Sequence, residues 1–234
     1  MPASSPLAPA ELARVPLFAD LDPDQHQRLL EQHRTVTFAG DQPLVLEEDE
    51  GQALFLLRQG LLKVRCFDLE GEETVLALLG PGDVCGEMAV LNALGRRSAD
   101  VVCLTPCQLV ILRAGPFVAL LRTEPRLSLA LARLQASRLR ALNRRFGLRG
   151  ADATTRLLAT LADLALHASV DAKVTDPIPP LPQREIALIT GLARETASRT
   201  LSRLRKRGTV IATADGGLQL QDLEPLRRRG LLEG

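Results

Sequence analysis

No stretch of this sequence approaches the roughly 20 consecutive apolar residues that an α-helix needs to span a bilayer, which excludes a chain anchored by such a helix. Its opening, Met1 to Pro9, lacks both the basic start and the apolar stretch of an export signal, so the expected location is the cytoplasm. Histidine is scarce: His26, His33 and His167 neither cluster nor accompany a Ser or Cys nucleophile signature, which disfavours an enzyme. Cysteine is limited to Cys66, Cys85, Cys103 and Cys107, read as reduced small hydrophobes. The alternative, a metal or iron–sulfur site, rests only on Cys103 and Cys107, which lack a neighbouring His or further Cys pair. Net charge is almost absent as well, at +1, and by itself says nothing of nucleic acid.

What is present is patterned. The 234 residues, 46% hydrophobic, suffice for one large or two modest domains. Residues 1–10, rich in Pro, Ala and Ser, read as a frayed tail. A short helical piece at Glu11–Val15 precedes a helix that Asp22 caps and Pro23 opens. Short apolar or alternating runs then follow at 35–38, 53–57, 61–67, 74–79, 100–103 and 108–112, punctuated by turns such as Gly80-Pro81-Gly82. Many short strands without intervening long helices predict an antiparallel sandwich or barrel.

After Pro125 the texture is helical, with Leu127, Leu131, Leu134, Leu139, Leu142 and Phe146 near one stripe. Such a helix either packs on its own barrel or pairs with its twin in a homodimer, and the length of the stripe favours the second. Gly147 and Gly150 break it, and Asp152 is placed to cap a helix over 153–168. A proline-rich connector, 176–182, leads to a helix over 183–189, a turn at Thr190-Gly191-Leu192, a second helix over 193–207, and a hairpin around Asp215-Gly216-Gly217. Two short helices joined by a Gly-containing turn and followed by a wing form a DNA-binding arrangement.

Charge supports this placement. Arg194, Arg199, Arg203, Arg205, Lys206 and Arg207 face one acid, Glu195, between 194 and 207, whereas acids and bases nearly balance before residue 150. Arg194, Glu195 and Arg199 stand near the start of the second helix, where they can enter a major groove together. Arg suits guanine O6 and N7, Glu suits cytosine N4, and Thr196 with the helix N-terminus suits phosphate. The bland alternative is a solvated helix carrying a Glu195–Arg199 ion pair.

Gln183-Arg184-Glu185-Ile186-Ala187, Thr190-Gly191-Leu192, Arg194-Glu195-Thr196 and Arg199 together resemble the helix-turn-helix of the cyclic AMP receptor protein and fumarate-nitrate regulator family. The resemblance implies a bacterial transcription regulator, an α+β fold with an N-terminal jelly-roll barrel and a C-terminal winged helix-turn-helix, and RNA polymerase as a partner. It implies DNA contacts from Gln183, Arg184, Arg194, Glu195, Thr196 and Arg199 at a palindromic GTGA-type site. One departure is Ala193, where the family usually has Ser; the missing N-cap costs typically about 1 kcal/mol.

A second constellation is Gly82-Asp83-Val84-Cys85-Gly86-Glu87-Met88-Ala89 followed by Arg96-Arg97-Ser98-Ala99. Bared backbone N–H groups, a carboxylate and an Arg beside a hydroxyl suit a phosphorylated sugar, while a buried Glu87–Arg97 pair explains the same residues equally well. The spacing resembles the phosphate-binding cassette of cyclic-nucleotide domains. That resemblance implies Gly86 and Glu87 on a ribose, Arg97 and Ser98 on a cyclic phosphate, and Met88 and Ala89 lining the site, with cyclic AMP or a related nucleotide as effector. The family's base-contacting Thr-Ser pair falls at Ala141 and Leu142, which cannot hydrogen-bond a base through their side chains, although Ser137 and Asn143 lie nearby. No cysteine precedes Cys66, as the oxygen-sensing branch would require. The only sensory-domain histidines, His26 and His33, are expected on the surface of the leading helix, so neither haem nor an iron–sulfur cluster is expected. Cys85 is either an inert buried thiol or redox-sensitive, the first being favoured.

The expected domains are therefore a tail (1–10), a sensing barrel (11–124), a dimerisation helix (125–146), a hinge (147–152) and a winged helix-turn-helix (153–234). Two rivals stand beside this reading: a constitutive regulator without an effector, and a cyclic-nucleotide-binding regulatory subunit, which leaves 194–199 unexplained.

Overall fold

A computed structural model describes residues 6–92 and 95–232 of the chain. The expected tail residues 1–5 and the last two residues of the expected C-terminal domain lie outside them. In chain order the elements are α1 (Pro9–Leu12), α2 (Pro23–Leu30), β1 (Arg34–Phe38), β2 (Pro43–Val45), β3 (Ala53–Gln59), β4 (Leu62–Phe67), β5 (Glu73–Leu79), β6 (Val84–Cys85), α3 (Glu87–Leu91), β7 (Asp100–Cys103) and β8 (Cys107–Arg113). They continue with α4 (Ala114–Thr123), α5 (Pro125–Gly147), α6 (Ala153–Leu166), α7 (Gln183–Thr190), α8 (Arg194–Lys206), β9 (Val210–Ala212), β10 (Leu218–Leu220) and α9 (Glu224–Arg227). The chain forms two compact units, one running to Val64 and resuming over Leu79–Ala141, the other comprising Arg65–Leu78 and the residues from Leu142 onward.

The first unit is organised by a sheet of order β1-β8-β3-β6, and a second sheet has order β2-β7-β4-β5. Alternation along β3 explains the layers. Phe55 and Leu57 join Leu62, Leu79, Cys85, Val101, Cys103, Cys107 and Leu109 in one core. Leu54 and Leu56 point the other way and pack with Val110 and Leu112 against Leu12, Phe18, Leu29, Phe117 and Leu127 from the helices. A strand covered on both faces reads as a continuous apolar run, which is how 53–57 appears in the sequence. The expected strands are present with ends moved by a residue or two, while β2, β6 and α4 carried no sequence signal. β2 and β6 are too short to show a period, and α4 follows β8 without an intervening turn.

Three local expectations change. Leu7, placed in the frayed tail, is buried in the helix-covered core, and its N–H donates to His33 Nε2 at 3.1 Å. His33 follows α2 and keeps its Nδ1 at 2.6 Å from the Leu30 carbonyl, so Nδ1 carries the proton. His26 lies inside, with Nε2 2.8 Å from the Phe18 carbonyl, because its position on α2 falls on the face that also buries Leu29 and Leu30. A polar residue on a buried helical face is tolerated where the backbone supplies a partner.

The apolar stripe of α5 divides. Leu127 and Leu131 are buried in the first unit's core with Leu134 against it, whereas Leu139 is 58% and Phe146 66% exposed and Leu142 is exposed between them. The reading of a helix packed on its own barrel therefore describes the first turns of α5, and the later turns leave these apolar side chains exposed.

In the second unit Asp152 caps α6, accepting from the N–H groups of Thr154 at 2.9 Å and Thr155 at 3.1 Å and from the Thr155 hydroxyl at 2.6 Å. Leu157, Leu158, Leu161 and Leu164 of α6 are fully buried. Between α7 and α8 the chain turns at Gly191 with φ 65°, a left-handed conformation that glycine adopts without a Cβ penalty. β9 and β10 pair antiparallel as the wing, and Ile178 of the connector bridges to Leu218. Residue 193 supplies no side-chain cap to α8, as its identity as alanine requires.

The Asp152 cap makes a measurable contribution. Asp152→Ala is expected to lower stability by about 1 kcal/mol. The Thr155 hydroxyl, then the capped N–H groups, hold its carboxyl below the ordinary value of 3.8. The cap's stabilisation is therefore complete above that value and is lost as pH falls through the lower folded one. Asp152→Asn should keep the cap and lose this acid dependence, as read from unfolding midpoints on acidification.

Candidate effector cassette and nucleic-acid interface

The cassette is built where β6 passes into α3. Gly86 sits between them at φ 90°. A Cβ there would stand 2.5 Å from Arg97 Nη1 and 2.8 Å from the Ala53 carbonyl oxygen, so both backbone conformation and space demand glycine. Arg97, only 5% exposed, folds into this slot: Nη1 donates to the Gly86 carbonyl at 3.0 Å and Nη2 to the Ala53 carbonyl at 3.1 Å. Its guanidinium carbon lies 5.4 Å from the Phe55 ring centre. Gly51 closes the other side, since a Cβ at 51 would fall 2.6 Å from Arg97 Nε and 2.7 Å from the Ala89 methyl.

Arg97 has two neutral acceptors and no carboxylate partner among the described residues, and its Nε is buried without any partner. Burial pulls its guanidinium below the ordinary range, with Cys85, Glu87 and Asp49 acting in the opposite sense. The Glu87–Arg97 ion pair that the sequence left open does not form. Glu87, 2% exposed, turns instead to α5: its Oε1 accepts from Gln135 Nε2 at 2.7 Å and from Arg138 Nη1 at 2.8 Å. Arg138 also donates to the Val84 carbonyl.

Met88 and Ser98 are exposed, with the Ser98 hydroxyl 3.6 Å from the Met88 sulfur, and Ala89 is buried. Gly86, Glu87, Met88, Ala89, Arg97 and Ser98 are thus neighbours, while Ala141, Leu142, Ser137 and Asn143 lie exposed on α5. A buried cation with donors to spare, a carboxylate and a hydroxyl fit a phosphorylated sugar. Burial, and then Glu87, push the Cys85 thiol up to about 12, which makes it a poor nucleophile at neutral pH. Among the described residues no group of His, Cys, Asp or Glu is arranged to hold a metal ion.

Gln135 and Arg138 were not anticipated. Their contacts join residues about fifty positions apart, and only the polar pair one turn apart beside an apolar stripe hinted at them. Arg156 was equally unmarked. From α6 it donates to the carbonyls of Thr190 and Gly191, satisfying the end of α7 and fixing the turn.

In the helix-turn-helix, α8 buries Ala197, Thr200, Leu201 and Leu204. That orientation leaves Arg194, Glu195 and Arg199 exposed and Thr196 half-buried, with Gln183 and Arg184 exposed at the start of α7. The Glu195–Arg199 ion pair is absent. Arg203, Arg205, Lys206 and Arg207 are exposed as well, so the local positive charge faces solvent.

Comparison with known proteins agrees with both halves. Residues 35–124 match the family model for a cyclic nucleotide-binding domain, and residues 155–229 match the Crp-like helix-turn-helix domain. The chain is 33% identical over 196 residues, 83% of its length and 88% of the relative's, to the cyclic AMP receptor protein of Thermus thermophilus. It is 27% identical over 223 residues, 93% and 97% of the two chains, to the CRP-like cAMP-activated global transcriptional regulator of Mycobacterium tuberculosis. FixK2 from Bradyrhizobium japonicum has a similar fold, with a TM-score of 0.72 at 18% identity over 84% of this chain and 96% of that one.

The Gly86 slot yields a direct test. Gly86→Ala should cost about 1–2 kcal/mol for the left-handed backbone alone and more from the contact with Arg97, measured by denaturant unfolding.

Proposed function

We propose that this chain, which belongs to the cyclic AMP receptor protein and fumarate-nitrate regulator family of DNA-binding transcription regulators, works as a homodimer that reads a palindromic GTGA-type site under the control of cyclic AMP or a related nucleotide. The observation that carries the effector half is Arg97. A guanidinium withdrawn from water, with two carbonyls as its hydrogen-bond acceptors among the described residues and Nε without one, is costly unless an anion completes it. A cyclic phosphate supplies that charge, with the Ser98 hydroxyl donating to a phosphate oxygen. Gly86 and Glu87 take the ribose, and Met88 and Ala89 line its approach. Cyclic AMP is the first probe to use because relatives of this chain are named for it.

The DNA half rests on the exposed constellation of Arg194, Glu195 and Arg199 for base edges, with Thr196, Gln183 and Arg184 at the phosphates. The exposed Leu139, Leu142 and Phe146 recur at the spacing of a helix-pairing seam, which supports the homodimer through α5. Two-fold symmetry then sets the recognition helices about one DNA turn, roughly 34 Å, apart. The proposed division is a sensing barrel at 11–124, a dimerisation helix at 125–146, a hinge at 147–152 and a DNA-binding domain from 153, acting in the cytoplasm with RNA polymerase as partner. Effector binding reorients α5 and through the hinge sets that spacing.

A second reading, a constitutive regulator, draws support from Glu87, whose Oε1 accepts two donors from α5 of the same chain. Calorimetric titration separates the two. Cyclic AMP should give saturable heat that Arg97→Ala abolishes while the fold persists. Absence of heat with cyclic AMP and cyclic GMP, alongside specific DNA binding, leaves the constitutive reading. On DNA, Arg194→Ala or Glu195→Ala should relax preference at one half-site position at a cost of about 1–3 kcal/mol. Uniform weakening across sequences in a gel shift would assign both residues to phosphate instead.

A further inference from the structure

Gln135 lies at the meeting point of the cassette and the apolar seam of α5. Its Nε2 donates to Glu87 Oε1 at 2.7 Å, and the same oxygen accepts from Arg138 Nη1 at 2.8 Å. Both donors converge on Oε1, while Oε2 accepts from no side chain or backbone group among the described residues. The two donors are unequally held. Arg138 carries the charge that balances a buried carboxylate and is fixed a second time by the Val84 carbonyl. Gln135 is neutral, only half-buried, and makes no other side-chain hydrogen bond among the described residues. Breaking its contact leaves no charge unbalanced and lets the amide reach water.

We propose that Gln135 is a positioning residue that stands in for the effector's hydroxyl, donating to Glu87 Oε1 and giving way when a ribose hydroxyl takes that place. The proposal rests on the reading of Glu87 as the ribose acceptor. Its consequence follows from helical spacing. Residues 135, 139, 142 and 146 are separated by four, three and four positions, so Gln135 lies on the face of α5 that carries the exposed Leu139, Leu142 and Phe146. Exchange at Glu87 therefore changes the polar surface of the seam itself, giving the cassette a route to the dimerising face that does not require α5 to unfold.

Competition and support predict opposite signs. If Gln135 competes with the effector, removing its donor should raise affinity for cyclic AMP about tenfold, the usual worth of a hydrogen bond to a charged group. If Gln135 merely braces Glu87, affinity falls or stays the same. The test is calorimetry on full-length wild type, Gln135→Met, which keeps the length of the side chain without a donor, and Gln135→Ala, which guards against a packing effect of Met. Each is titrated with cyclic AMP and with 2′-deoxy cyclic AMP.

The expected result is a gain for cyclic AMP in both variants that is absent for the 2′-deoxy analogue, since that ligand has no hydroxyl with which to displace the amide. Equal or weaker cyclic AMP binding by both variants, or an equal gain for both ligands, overturns the role of Gln135 while leaving the site reading intact. Wild type that binds neither ligand overturns the site reading itself, and this inference with it.

Discussion

Arg97 is a buried cation with no hydrogen-bonded carboxylate among the described residues, and its immediate neighbours are shaped to admit it. Arg97 has Gly86 on one side and Gly51 on the other, and in each case a methyl group would collide with the guanidinium. The Phe55 ring lies near the guanidinium, and the carbonyls of Gly86 and Ala53 take one hydrogen bond each. The carboxylate that would have neutralised it locally, Glu87, is occupied by Arg138 and Gln135. The fold thus keeps Glu87 and Arg97 from pairing directly, which leaves the guanidinium with unused donors. A buried ion pair would have spent both charges on each other.

The same carboxylate ties the cassette to α5. The first turns of that helix are fixed by Leu127 and Leu131 in the core, its middle by Glu87 through Gln135 and Arg138, and its later turns present Leu139, Leu142 and Phe146 outward. One helix therefore carries a packing role, a polar role and an exposed apolar face in succession. In the second unit the corresponding constraint is the short turn at Gly191. Arg156 satisfies the carbonyls of Thr190 and Gly191, and the buried face of α8 then determines which side of that helix faces solvent.

Much of this was legible in the chain. The Asp152 cap, the left-handed glycine at 191, the uncapped start of α8 and the short strands are local matters, governed by side chains within a few residues of the backbone they affect. The exposure of Arg194, Glu195 and Arg199 was legible for a similar reason: once Ala197, Leu201 and Leu204 are buried, the helical period places these three outside. The misplaced features were those decided by distant contacts. His26 was expected at the surface and is buried against the Phe18 carbonyl. Leu7 was expected in a frayed segment and packs in the core with its N–H on His33.

By itself, then, the sequence determined the alternation of strands and helices, the order of cassette and reading head, and the family to which they belong, because period, capping and motif spacing are properties of neighbouring residues. Only the tertiary structure decided whether Glu87 would pair with Arg97 or with α5, and where the stripe on α5 would cease to be core. Those outcomes depend on which buried acceptors come within hydrogen-bonding reach of a charge, and the contacts that settle them join residues roughly fifty positions apart. Linear spacing carries no information about that distance. The near absence of net charge is resolved in the same way, since what matters is a buried guanidinium and an exposed basic helix, placed by the fold.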